Sequence, residues 1–537
     1  MPQRLPAPSL SRSRGLLAGI CLVIGAGAAP AQAQNTAPLS AIDWLRLGDG
    51  QATPGAYPLT PPGTLSGETD ISVRALDALR PEAVGLFPAS RVGLPVSLWG
   101  ATPANALAEL IRALPSDMLP ALRDLSLRLL LAEFNAPLSE PGGTQGATGD
   151  RPPGFLLARI DKLIEFGALD QAAAILDTLD PTAPLLRLRR FDIGLLLGDE
   201  HRACAGVLID TPPINDAAAL VFCLAREGQW QIAEQVLSQA IETQSISGYE
   251  ADLLTHFIEG DERLPGSSTL LPPPVGTPSP LVWRLLEAAG DPVATLGLPV
   301  AFAHADLRGT IGWRAQIEAA ERLVRVGALS PNRLLGLYTE RRAAASGGIW
   351  ERVRLVQQFD TALHAQNADA TAAALLEVWP QIQAGELEVA FASLYALQLG
   401  QMALPGRARD LAFRIGLLSD AYETVALGLG QTDADPAARF LAAIARGLDP
   451  LSMGAMPGEI ARAVAEGFGP DASVPQDTLD ALAEGRLGEE MLRVLKEMGG
   501  PADPRLLAEG LATLRHIGLE DIARRTALES LLLERHG

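Results

Sequence analysis

The chain has 537 residues, a formal net charge of −20 and 48% apolar residues, with aromatic side chains making up only 5%. A surface this acidic repels phosphate backbones and anionic headgroups, which excludes nucleic acid and anionic lipid as principal partners. The apolar content is ample for a buried core, and so few aromatics favour Leu/Ala helices over sheet.

Residues 1–33 read as a signal peptide. Arg4, Arg12 and Arg14 form a basic start, Gly15 to Ala29 an apolar stretch, and Ala31-Gln32-Ala33 a small-x-small cleavage site. Cleavage is expected after Ala33, with export to a bacterial periplasm. Ile20 precedes Cys21, where a lipid-anchored cysteine needs a small residue. Loss of the three arginines takes the net charge from −20 to −23. No other stretch is long enough to cross a bilayer, so no transmembrane segment is expected after cleavage. Residues 34–64 are Pro-, Gly- and Thr-rich and read as an extended arm following one short helix at Ala41–Leu47. Residues 65–135 form a mostly helical segment, with a short strand at Asp70–Ala75 and helices at Pro103–Leu114 and Leu119–Phe134. Residues 136–153, holding Gly142, Gly143, Gly146 and Gly149, read as a linker.

Residues 154–259 carry the organising pattern. An apolar helix, a Gly, four residues, an Ala and a second apolar helix recur at Gly167/Ala172, Gly198/Ala203 and Gly228/Ala233. The glycines are 31 and 30 residues apart. Gly ends a helix in the left-handed conformation at no Cβ cost, and the small Ala lets the next helix approach closely. One such hairpin cannot bury both apolar faces, so neighbours must stack. The third copy, Arg226-Glu-Gly228-Gln-Trp230-Gln-Ile-Ala233, resembles the tetratricopeptide repeat at its inter-helix turn, and Asp180-Pro181 stands where that family often places a proline. The resemblance covers roughly 95 residues and recurs weakly at Gly518 and Ala523. The period departs from the family's, and copies one and two lack the aromatic. The resemblance implies an irregular all-α solenoid of antiparallel hairpins with a habit of binding proteins or peptides. Cys204 and Cys223 lie at similar distances from the Thr211-Pro212-Pro213 turn. In an antiparallel hairpin that places them at one height, so a disulfide is expected in an oxidising compartment; the alternative is two buried thiols.

Residues 260–280 form a Pro-rich linker, and 281–537 a second helical repeat region. Ser279-Pro280, Ser330-Pro331, Asp435-Pro436 and Asp503-Pro504 each pair a capping side chain with a proline at the first helical position. Helical spacing marks Arg314–Val326, Ile349–Ala365, Ala370–Ile382 and Leu387–Leu399. Leu506–Arg515 and Glu520–Arg535 read as a final hairpin with a polar outer face, as a terminal cap requires.

Chemistry is sparse in this pattern. The six histidines show no paired ligand spacing. His364 follows Asp360 by one turn, an arrangement more often a solvated pair than half a metal site. There is no nucleophile elbow, phosphate loop or dinucleotide fingerprint, so neither catalytic residues nor cofactor or metal ligands are assigned. Soluble lytic transglycosylases also carry a long α-superhelix, and their catalytic Glu is followed by Ser, as Glu529 is by Ser530. The downstream Gly-Leu-Met-Gln type motif is absent, so only the scaffold comparison is kept. The stretch 336–350 gathers Tyr338, Glu340, Arg341, Arg342 and Trp350 around a Gly347-Gly348 turn, the residue types that binding hot spots favour. The bland alternative is a solvated helix end over a core Trp. The expectation is a non-enzymatic scaffold or adaptor holding a protein or peptide partner in the cell envelope. The alternative is a peptidoglycan-associated protein or the non-catalytic arm of a cell-wall enzyme.

Overall fold

One turn, used repeatedly, sets the architecture. A helix ends, the second residue after it is left-handed, and the next helix begins two residues later. Gly167 makes this turn between helices Gly154–Glu165 and Leu169–Leu179, and Gly228 between Ala217–Arg226 and Trp230–Glu242. Gln366 makes it between Gly348–His364 and Ala368–Ala384, and Glu386 between the latter and Glu388–Gly400. Gly485 joins Gln476–Ala483 to Leu487–Met498, and Gly518 joins Pro504–His516 to Glu520–Leu532. Each time, two successive amides reach back to the last helical turn, as in Gly167 N to Ile164 O at 2.9 Å and Ala168 N to Leu163 O at 2.8 Å. These bonds occupy carbonyls that a helix end otherwise leaves unpaired.

The computed structural model describes residues 80–138, 154–179, 183–209, 215–259, 272–343, 345–429, 435–501 and 503–533. They fall in one compact unit, Leu76–Gly537; the other, Met1–Ala75, lies outside the described residues. So do the signal segment, the whole arm, the short helix and strand expected before residue 80, and most of both linkers. The described residues form an all-helical, solenoid-like stack of 24 α-helices, and their sheet content is one two-residue parallel pairing of Phe87–Pro88 with Ala132–Glu133.

The expected local features are present across 154–246. Gly167, Gly198 and Gly228 have φ of 75°, 80° and 76°. Ala172, Ala203 and Ala233 are buried. In the second copy the approach is so close that a Cβ on Gly194 would stand 2.7 Å from that of Ala203. Ser279, Asp435 and Asp503 cap their helices through the side chain, whereas Ser330 makes no such bond. Trp230 is 45% exposed and so is not a core aromatic of its turn.

Neighbouring helices pack in chain order, but the ends of the array also meet. Helix Ala104–Arg112 packs on Leu487–Met498, and helix Pro120–Leu131 on Glu520–Leu532. One apolar core runs through Ile111, Leu122, Leu125, Met491, Leu495 and Leu528. Backbone bonds pin the junction: Gly488 N donates to Leu98 O at 3.0 Å, and Ala101 N to Gly485 O at 3.3 Å. The last hairpin is therefore not a free polar cap, as the charge pattern suggested. Its first helix packs on Glu459–Phe468 and its second on Pro120–Leu131 and Pro436–Ala445, so the array closes on itself.

Buried cations hold the N-terminal helices. The Arg159 guanidinium reaches Leu130 O at 2.7 Å, Val84 O at 2.8 Å and Glu82 O at 3.0 Å, and burial lowers its pKa to about 10. Lys162 Nζ donates to Leu114 O at 2.8 Å and Arg112 O at 3.0 Å, just past helix Ala104–Arg112. Cations at helix C-termini complement both the free carbonyls and the macrodipole.

Candidate functional site

The hot-spot stretch separates into an inner and an outer part. Helix Pro331–Glu340 buries Leu334 and Tyr338, one turn apart, against the core. Tyr338 Oη donates to Glu321 Oε1 at 2.6 Å, and Arg352 holds both oxygens of that carboxylate at 2.8 and 2.7 Å. Burial and the Glu321 charge push the Tyr338 phenol well above its ordinary range. Trp350 is half-buried and packs on Trp313 with ring centroids 5.0 Å apart. Tyr338 is thus a core residue bound into an ion-pair network and is not offered to a partner. The i, i+4 spacing with Leu334 was the signal that could have said so. Glu340, Arg341 and Arg342 remain on the surface, with Arg341 paired to Glu340 at 2.9 Å.

Sequence reasoning missed an open groove between helices Ala368–Ala384 and Gly406–Leu417, with a volume of about 410 Å³. The first helix supplies Leu376, Trp379 and Pro380, at positions i, i+3 and i+4, so they share one face. The second supplies Arg407, Asp410, Leu411 and Arg414, again on one face. Trp379 is braced edge-on by Phe391, with ring centroids 6.0 Å apart. Pro380 sits inside its helix and has no N–H, so the Leu376 carbonyl lacks its intrahelical donor. Among the described residues neither Arg407 nor Arg414 has an ion-pair or hydrogen-bond partner, while the exposed Asp410 pairs with Arg409 at 3.7 Å.

A second groove, of about 610 Å³, lies between helices Glu459–Phe468 and Pro504–His516. Glu459, Glu466, Asp471, Asp503 and Glu509 line it, against Arg462 and Arg505. Arg505 is paired with Glu509 at 3.0 Å.

Comparison with protein-family models, curated proteins and solved structures finds no match to this chain.

Several other sequence readings have a place in the structure. Cys204 and Cys223 are both buried and joined, with a Cα–Cα distance of 5.2 Å. His364 Nδ1 is 2.8 Å from the Asp360 carbonyl, and the Asp360 carboxylate accepts from Tyr395 Oη at 3.1 Å. This is a local hydrogen-bonded pair, and no group of three metal-ligating side chains gathers anywhere among the described residues. Glu529 is 3% exposed, and its Oε2 accepts from Ala121 N at 2.8 Å. Its side chain caps helix Pro120–Leu131, whose own N-cap residue, Leu119, has none to offer. The Glu529-Ser530 dipeptide is thereby given a structural role. No helix of the described residues is long and apolar enough to cross a membrane.

Proposed function

We propose that this chain is an exported, non-enzymatic scaffold or adaptor of the cell envelope that holds a segment of a protein partner between its stacked helices. The observation that carries the reading is the groove between helices Ala368–Ala384 and Gly406–Leu417. It combines an apolar floor, an aromatic wall and cations without partners, which is the composition of a protein-recognition surface. Export is supported by the basic and apolar N-terminal pattern and by a disulfide of the kind that oxidising compartments preserve. The alternative, a peptidoglycan-binding arm, calls for clustered exposed aromatic faces. Trp99, Trp283 and Trp313 are instead buried in the core.

The test is capture from envelope extract with the immobilised chain, run beside a peptidoglycan sedimentation assay. A saturable protein partner is expected. Sedimentation with peptidoglycan and no captured protein would reverse the assignment.

A further inference from the structure

Resting on the adaptor reading, we propose that the groove between helices Ala368–Ala384 and Gly406–Leu417 takes an acidic peptide segment of a partner protein. The segment is extended, with apolar side chains between two carboxylates about 10 Å apart.

Charge selects the class of ligand. The chain as a whole is strongly acidic, and other arginines are already engaged, Arg352 with Glu321, Arg325 with Glu386 and Arg354 with Glu351. Arg407 and Arg414 are exposed, line the groove and have no partner among the described residues. A guanidinium presents a planar fork of donors matched to a carboxylate. Long-range repulsion from the acidic surface is screened beyond roughly 8 Å at physiological salt, so contact at the two arginines decides the local preference.

Geometry selects the spacing. Arg407 and Arg414 are seven residues apart on one helix, which at the helical rise separates them by about 10 Å. A polyproline-II chain rises about 3.1 Å per residue and returns to the same side every third residue. Two acidic residues three positions apart therefore reach both arginines. The side chains between them face Leu376, Trp379 and Leu411. Pro380 leaves the Leu376 carbonyl without its helical donor on the helix that lines the groove. The carboxylate-lined groove at Glu459 and Asp503 has no comparable second feature and carries no assignment.

The test uses fluorescence anisotropy with the full chain and three labelled peptides. Gly-Glu-Leu-Phe-Glu-Gly has the proposed pattern; one control replaces Glu by Lys, the other replaces Leu-Phe by Gly-Gly. The first peptide should bind at least ~10-fold more tightly than either control and weaken as salt rises. The double variant Arg407→Glu/Arg414→Glu should lose at least ~10-fold in affinity with an unchanged circular dichroism spectrum, whereas Arg342→Glu, exposed and outside the groove lining, should bind as the parent does. Equal binding of the Glu and Lys peptides overturns the proposal. Equal binding of the Gly-Gly control reduces the groove to a general anion site and overturns it as well, as does full binding by the double variant. Absence of peptide binding beside an envelope partner whose capture survives the double variant overturns the groove assignment and leaves the adaptor reading standing. Absence of both overturns both.

Discussion

Closure of the array makes a prediction that an open solenoid would not. Glu529, in the last helix, caps helix Pro120–Leu131 across a sequence separation of 408 residues. Replacing it with Ala removes a cap worth about 1 kcal/mol in ordinary helices. This contact is buried and charge-assisted, which raises the expected cost to about 2 kcal/mol. Glu529→Gln keeps an acceptor and should cost about half as much. In hydrogen exchange read by mass spectrometry, 2 kcal/mol corresponds to roughly 30-fold faster exchange of amides protected by local opening. That acceleration should appear in residues 120–131, although the substitution lies in the final helix. Helices Gly348–His364 and Ala368–Ala384, which have their own core, should keep their protection. Unchanged exchange in 120–131, or a uniform rise along the whole chain, would refute the idea that the two ends are energetically joined there.

Other consequences can be measured directly. The Cys204–Cys223 bond closes a loop with a separation of 19 residues, for which chain entropy gives about 3 kcal/mol, so reductant or the Cys204→Ser/Cys223→Ser variant should lower the melting temperature. Alkylation of both thiols without reductant would show that the bond is not made. Tyr338→Phe should destabilise by about 1–2 kcal/mol in denaturant titration by removing a buried bond to Glu321, while Arg341→Ala/Arg342→Ala on the surface should stay within about 0.5 kcal/mol. No cost for Tyr338→Phe would mean the network contributes nothing. At Asp192 burial pushes the carboxyl up to about 7, opposed by Arg189 and aided by Asp216 and Asp161. The folded state then holds a proton that the unfolded chain has released. The resulting stability is full below the ordinary value of 3.8 and is lost as pH rises through about 7. Asp192→Asn should flatten that fall in melting temperature; an unchanged slope would assign it to other groups.

Helix positions were legible because they depend on neighbours a few residues away. Apolar spacing placed Arg314–Val326, and the structure has Trp313–Arg325. Asp503-Pro504 placed the start of Pro504–His516. Repeats in the second half were harder to see for an equally local reason. Gln366 and Glu386 occupy the left-handed turn position held elsewhere by Gly, with φ of 53° and 52°, so the composition signal vanished while the geometry continued. Thr371, five residues after Gln366, is buried as Ala172 is after Gly167.

The sequence by itself determined an all-helical chain of hairpins and its one cysteine pair, since both follow from periodicity, capping and distance from a turn. Tertiary structure alone decided that the ends meet and that Trp379 faces Arg407 and Arg414 across a groove. Those outcomes depend on small rotations between successive hairpins that add up along the stack. No window of neighbouring residues encodes their sum, so a stripe on one helix could be read while the stripe opposite it could not.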